Sequence, residues 1–162
     1  MAELFPTKIL MASDDSECAA VAARVAGEVA RKTGSQVHVV YVYPLLAFAA
    51  GQRLDEDVYK EIKQDAQDLL DEQVRRIEGE GATVAQAHLR VGRPDEEIIA
   101  LGEELSTNLI VLGSKGSGPL RRVIGNVSDN VVRNAPCPVL VVRRPKEPER
   151  GRPDSERAAQ NV

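Results

Sequence analysis

Residues 108–113 read Asn-Leu-Ile-Val-Leu-Gly, and they run directly into SKGSGPLRRVIGNVS over residues 114–128. The four central residues of the first stretch are all apolar. A strand of that kind is covered on both faces and lies in the middle of a parallel sheet. The glycines end it, and Val127–Asn134 reads as a short helix returning from the turn. A covered strand, a glycine-rich turn and a returning helix make up the repeating unit of doubly wound α/β domains.

The same alternation extends outward in both directions. Lys8–Ser13 (KILMAS) reads as a buried strand, and Ser16–Thr33 as a helix with Cys18, Ala22, Val25 and Val29 on one face. Gly34 is its expected C-cap. Gln36–Tyr43 is the second strand, stopped by Pro44, and residues 44–56 form a connection with no clear period. Asp57–Glu78 follows as a long amphipathic helix, closed by Gly79 and Gly81, with Val58, Ile62, Ala66, Leu69, Leu70, Val74 and Ile77 inward. Thr83–Val91 alternates small or apolar residues with Gln86, His88 and Arg90, the pattern of an edge strand with one wet face. After the turn Gly92–Pro94 comes a helix over Asp95–Leu105, packed through Ile98, Leu101 and Leu105. Asp95, Glu96 and Glu97 occupy its first turn, where the helix dipole favours negative charge. Pro138–Val142 (PVLVV) is the last strand.

Strands alternating with helices predict a five-stranded, mostly parallel, doubly wound sheet with helices on both faces. Right-handed crossovers, an edge-like third strand and a central fourth select the order 3-2-1-4-5. The winding then reverses between strands one and four, and ligands of such sheets sit outside the carboxyl ends at the reversal. Ala12, Ser13 and Asp14 meet Leu112, Gly113 and Ser114 there.

Composition narrows the function classes. The 162 residues suit one domain, expected over residues 1–143. Aromatics are 3% of the chain and Trp is absent, so the core is aliphatic. The net charge of −4 divides into −6 over residues 1–142 and +2 over residues 143–162. An acidic domain without interleaved basic and aromatic residues is not expected to bind nucleic acid. Residues 144–162 are mostly Pro, charge and small polar residues, with no apolar residue before Ala158 and Ala159, and read as a disordered tail. Neither a secretory signal over Met1–Thr7 nor a membrane span is expected. With only Cys18 and Cys137, a disulfide framework is not indicated, and the default address is cytoplasmic. Cys18 reads as a small core residue and Cys137 as packed at a strand entrance, with structural roles for His38 and His88.

Glycines let a backbone approach a phosphate closely, and successive amides in such a loop form an anion-binding concavity. Gly125-Asn126 opens a helix whose free N–H groups suit phosphate. Ser114, Asn126 and Ser128 would add neutral hydrogen bonds. The same residues also fit an ordinary αβ turn with Asn or Ser as the helix cap. Lys115 would pair with phosphate or point to solvent. Arg121 and Arg122 read as surface or lid residues, and Asp14-Asp15-Ser16 as a helix cap rather than a metal site.

KILMASDDSE, VGRPDEEI, and NLIVLGSKG followed by GNVSDNVVRNAPCPVLVV together resemble the universal stress protein family, over roughly residues 6–143. The resemblance implies an adenine nucleotide α-hydrolase-like fold, a regulatory role in stress response rather than fast enzymatic turnover, and a homodimer through Pro138–Val142. Its nucleotide-binding branch carries Gly-x2-Gly-x9-Gly-Ser/Thr. Carried onto this chain, Gly113, Gly116 and Gly125 hold the triphosphate of ATP, with Val127 and Ser128 just behind. Asp14 falls near the base or ribose, Val42 presents its backbone to the adenine edge, and Ala12 lines the base pocket. AMP or ADP would occupy the same place, and Mg²⁺ would be held through the phosphates. Two departures stand out: eight residues separate Gly116 from Gly125, and Asn126 replaces the Ser/Thr. A slow ATPase and a ligand-free interaction module are the competing readings. There is no Walker-type Gly-Lys-Ser/Thr and no evident general base.

The Pro138–Val142 strand also stands on its own as an interface candidate. It is apolar throughout yet falls at an edge, where an uncovered strand invites aggregation. Pairing with itself about a two-fold closes it; the alternative is a tail folded back over it.

Overall fold

The structure is a computed structural model that describes residues 7–14, 16–44, 55–114 and 127–145. Five parallel strands stand in the order β3-β2-β1-β4-β5, as the sequence predicts: β1 Lys8–Ser13, β2 Gln36–Pro44, β3 Val84–Gly92, β4 Leu109–Gly113 and β5 Val139–Val142. The intervening helices are α1 Glu17–Thr33, α2 Glu56–Gly79, α3 Pro94–Glu104 and α4 Val127–Asn134. Because side chains alternate along each strand, the sheet splits the core in two. Ile9, Met11, Val37, Val39 and Val111 meet α1 and α2 on one side. Leu10, Ala12, Val40, Val42, Ile110 and Leu112 meet α3 and α4 on the other. No helix among the described residues is long and apolar enough to cross a membrane.

Helix α1 starts where the Ser16 hydroxyl accepts the Ala19 amide at 3.1 Å, and stops at Gly34, whose φ of +72° no β-carbon opposes. Its buried face is broader than the expected stripe of Cys18, Ala22, Val25 and Val29. Ala19, Ala22, Ala23, Ala26, Gly27 and Ala30 lie inward beside Cys18, whereas Val25 and Val29 are half-buried. Small side chains let the helix come close. A β-carbon on Gly27 would stand 3.0 Å from the Ile77 carbonyl oxygen of α2, so larger residues are displaced to the flanks.

Helix α2 buries Ala66, Leu70, Gln73 and Ile77, with Ile62, Leu69 and Val74 half-buried. Val58, expected inward, is 41% exposed. Length explains this correction: 24 residues of helix span about 36 Å, and a nine-residue strand about 30 Å. The first turn of α2 therefore overhangs the sheet.

Strand β3 also departs from simple alternation. Its register against β2 shifts between Val37 and His38, so that Val37 faces Val84 but His38 faces Gln86. Ala85 is the extra residue of a bulge. Val84, Ala87 and Leu89 then face α1 and α2. The expected wet face is partly covered: His88 and Arg90 are half-buried, and Arg90 pairs with Glu97 and Glu104 of α3.

Candidate functional site

The carboxyl ends of β1 and β4 lie side by side at the reversal, where Met11 pairs with Val111. One residue further along, Ala12 and Leu112 stand level on the α3/α4 side of the sheet. Val42 joins them from β2, two residues beyond Val40, the partner of Ala12. All three are under 9% exposed. Val127, in the first turn of α4, packs against the larger cluster to which they belong. Together they give an apolar shelf at the top of the sheet, bordered by polar groups.

Those borders come from the strand ends. Ser13 is buried, and its hydroxyl donates to the Asp14 carbonyl oxygen at 3.3 Å. Asp14 Oδ1 accepts the Ser16 amide at 2.8 Å, which turns the chain into the α1 cap. Asp14 and Ser16 thus cap a helix, as their sequence suggests, while Asp15 lies outside the described residues. On the β4 side the Ser114 amide donates to the Val142 carbonyl at 2.8 Å, holding the start of the glycine loop against β5. Ser128 is buried in the first turn of α4. Lys115, Gly116, Gly125 and Asn126 lie outside the described residues, as do Arg121 and Arg122.

Gly113 has a local explanation of its own. A β-carbon there would lie 2.8 Å from Cys18 Cβ, 3.0 Å from the Cys18 carbonyl carbon and 3.1 Å from the Ala19 amide nitrogen. Its φ is not positive, so close approach rather than backbone freedom requires glycine. Cys18, read as a core residue, is buried and places its sulfur 4.0 Å from the Ser114 hydroxyl. The start of α1 and the end of β4 are thereby pressed together beside the shelf.

The family model described as the universal stress protein family matches residues 6–143. The chain belongs to the universal stress protein family. A universal stress protein of Methanocaldococcus jannaschii is 30% identical over 143 residues, 86% of this chain and 84% of that one. The solved universal stress protein UspA from Lactobacillus plantarum superposes with a TM-score of 0.71 at 26% identity, covering 85% of this chain and 97% of its own. A universal stress protein from Archaeoglobus fulgidus, solved in complex with dAMP, gives a TM-score of 0.62 at 29% identity, covering 84% and 97%.

Outside the shelf, this universal stress protein carries two groupings that its sequence did not announce. His38 Nδ1 and His88 Nε2 lie 3.0 Å apart on the side of the sheet that α3 covers. The bulge at Ala85 brings them together, since without it His88 would stand level with Tyr41, on the α1/α2 side of the sheet. Burial holds both imidazoles below the ordinary 6.5, with Lys8 adding to the effect on His38. For His88, repulsion of the imidazolium by His38 and Arg90 outweighs the opposing attraction of Glu104. The second grouping joins Asp95 of α3 to Asn130 of α4, at 3.0 Å. Among the described residues, no three or more His, Cys, Asp or Glu gather as a metal site.

Proposed function

We propose that this universal stress protein binds an adenine nucleotide, ATP in particular, at the carboxyl edge between β1 and β4. In this reading it acts as a dimeric regulatory module of the stress response rather than as a fast enzyme. The observation that carries it is the apolar shelf of Ala12, Val42 and Leu112 beside the Asp14 carboxylate and the start of the glycine loop. A flat aromatic base suits the shelf and a ribose hydroxyl suits Asp14. Phosphates suit amides of residues 113–128, including the first turn of α4. The Archaeoglobus fulgidus relative solved with dAMP supports the same ligand class. Mg²⁺ would enter with the phosphates, and AMP or ADP would share the base and ribose contacts. Regulation follows if the loop differs between bound and free states, since a ligand shifts an equilibrium only through differential affinity. Residues 1–143 would form the nucleotide-binding domain and residues 144–162 a separate charged tail, in the cytoplasm.

The packing at Gly113 favours a second reading. Its glycine is required by α1 whether or not a phosphate approaches. A ligand-free interaction module would keep it too. Denaturing the purified protein, identifying any released nucleotide, and titrating ATP and AMP by calorimetry separates the two. Bound nucleotide or measurable heat, abolished by Gly116→Val and Gly125→Val in a protein that still folds, is the expected result. No nucleotide and no heat would leave the interaction module. Turnover within seconds would instead mark a true enzyme.

A further inference from the structure

Helices α3 and α4 both follow strands of one parallel sheet and return along the same side, so both begin at its carboxyl edge. Their first turns are joined through a side-chain pair. Asp95, the second residue of α3, is 8% exposed and the only buried carboxylate among the described residues. Its Oδ2 accepts from Asn130 Nδ2 of α4 at 3.0 Å and from Arg93 at 3.0 Å. The helix dipole does not explain the burial. Glu96 and Glu97 supply acid to the same turn from less buried positions. Burying a charge costs free energy unless partners compensate it. What burial adds here is reach to α4.

We propose that Asp95 is a positioning residue for the nucleotide site, setting the placement of the first turn of α4 through Asn130. Helix α4 has eight residues, too few to hold its place by intrinsic stability. Val131 anchors it by apolar contact, which tolerates small rotations and slides. A charge-assisted hydrogen bond is directional and fixes both. Val127 and Ser128 share the first turn with Asn130, so their distance from Ala12 and Leu112 depends on that bond. The nucleotide-binding reading above is presupposed. Within it, Asp95 governs the phosphate end of the site, because α4 leaves the glycine loop, while adenosine rests on β1, β2 and β4.

The test is calorimetric titration of adenosine and ATP into the full chain and into Asp95→Ala, Asn130→Ala and the double variant. ATP affinity falls on the order of tenfold in each single variant, a range typical of contacts that tune a site from outside it. The double variant loses no more than either single one, as two partners of one bond must. Adenosine affinity stays within about twofold, a split that general loosening of the fold would not give. Asp95→Asn keeps an acceptor oxygen and restores most of the ATP affinity, and it serves where Asp95→Ala folds poorly. Equal loss for adenosine and ATP, or unchanged ATP affinity in all variants, overturns the positioning role and leaves the nucleotide site standing. A wild type that binds neither ligand overturns the site and the role together.

Discussion

Gly113 makes opposite predictions under its two explanations. If only phosphate approach required glycine, Gly113→Ala would leave the nucleotide-free protein unharmed, and reduced chain entropy would favour it by about 0.4–1 kcal/mol. The contacts argue otherwise. Two of the three atoms meeting the added β-carbon belong to the backbone of α1, which cannot rotate away as a side chain can. We expect Gly113→Ala to destabilise the nucleotide-free protein by about 1–3 kcal/mol, as overpacking does. The urea midpoint checks it, and a raised midpoint would remove the packing explanation. A sequence pattern names such a glycine without saying which neighbour excludes the side chain. Asp95 illustrates the same limit: its place in a first turn is readable, its reach to Asn130 is not, because that partner lies 35 residues away.

At the level of elements, strand and helix order was legible because apolar runs and turn residues punctuate the chain cleanly. What alternation cannot reveal is a parity change, and β3 contains one. The bulge at Ala85 sets His88 on the side of His38, under α3. Lys8 of β1 and Arg90 of β3 supply positive charge around the pair, and Glu97 and Glu104 of α3 supply the acids, both bound to Arg90. The two histidines titrate below 6.5 in the fold and near 6.5 once unfolded. Between those values the unfolded chain binds more protons, so stability rises with pH. It is complete above about 6.5, falls as the pH drops toward the folded values, and levels off below them. The urea midpoint is therefore expected to be lower at pH 5.5 than at pH 7.5. His88→Gln keeps a donor for His38 and should weaken that difference. An undiminished difference would assign the pH effect to other groups. On α1, hydrophobicity favours valine, but closeness to α2 at Gly27 favours alanine, so Val25 and Val29 pack from the flanks of the stripe.

For the whole molecule, the two sheet edges are unequal. At β3, a bulge, Gln86 and the Arg90–Glu104 pair blunt the edge against chance pairing. At β5, Val139, Leu140, Val141 and Val142 carry no charge, and Leu140 is 37% exposed. Arg144, just beyond, pairs with Glu17 of α1. A two-fold axis would set β5 antiparallel to its copy and continue the sheet, removing the bare edge from both chains. This is the geometry behind the proposed dimer, and it makes Leu140→Lys informative. A lysine there puts like charges near each other across the axis while the exposed position tolerates it in the single chain. Sedimentation velocity at tens of micromolar should give twice the chain mass for the wild type and the single mass for the variant, with unchanged helical content. Truncation after Arg144 separates the remaining alternative, a tail that covers the edge. If the tail is the cover, the full chain sediments as a monomer and only the shortened one associates. If β5 pairs with its copy, both lengths sediment as dimers.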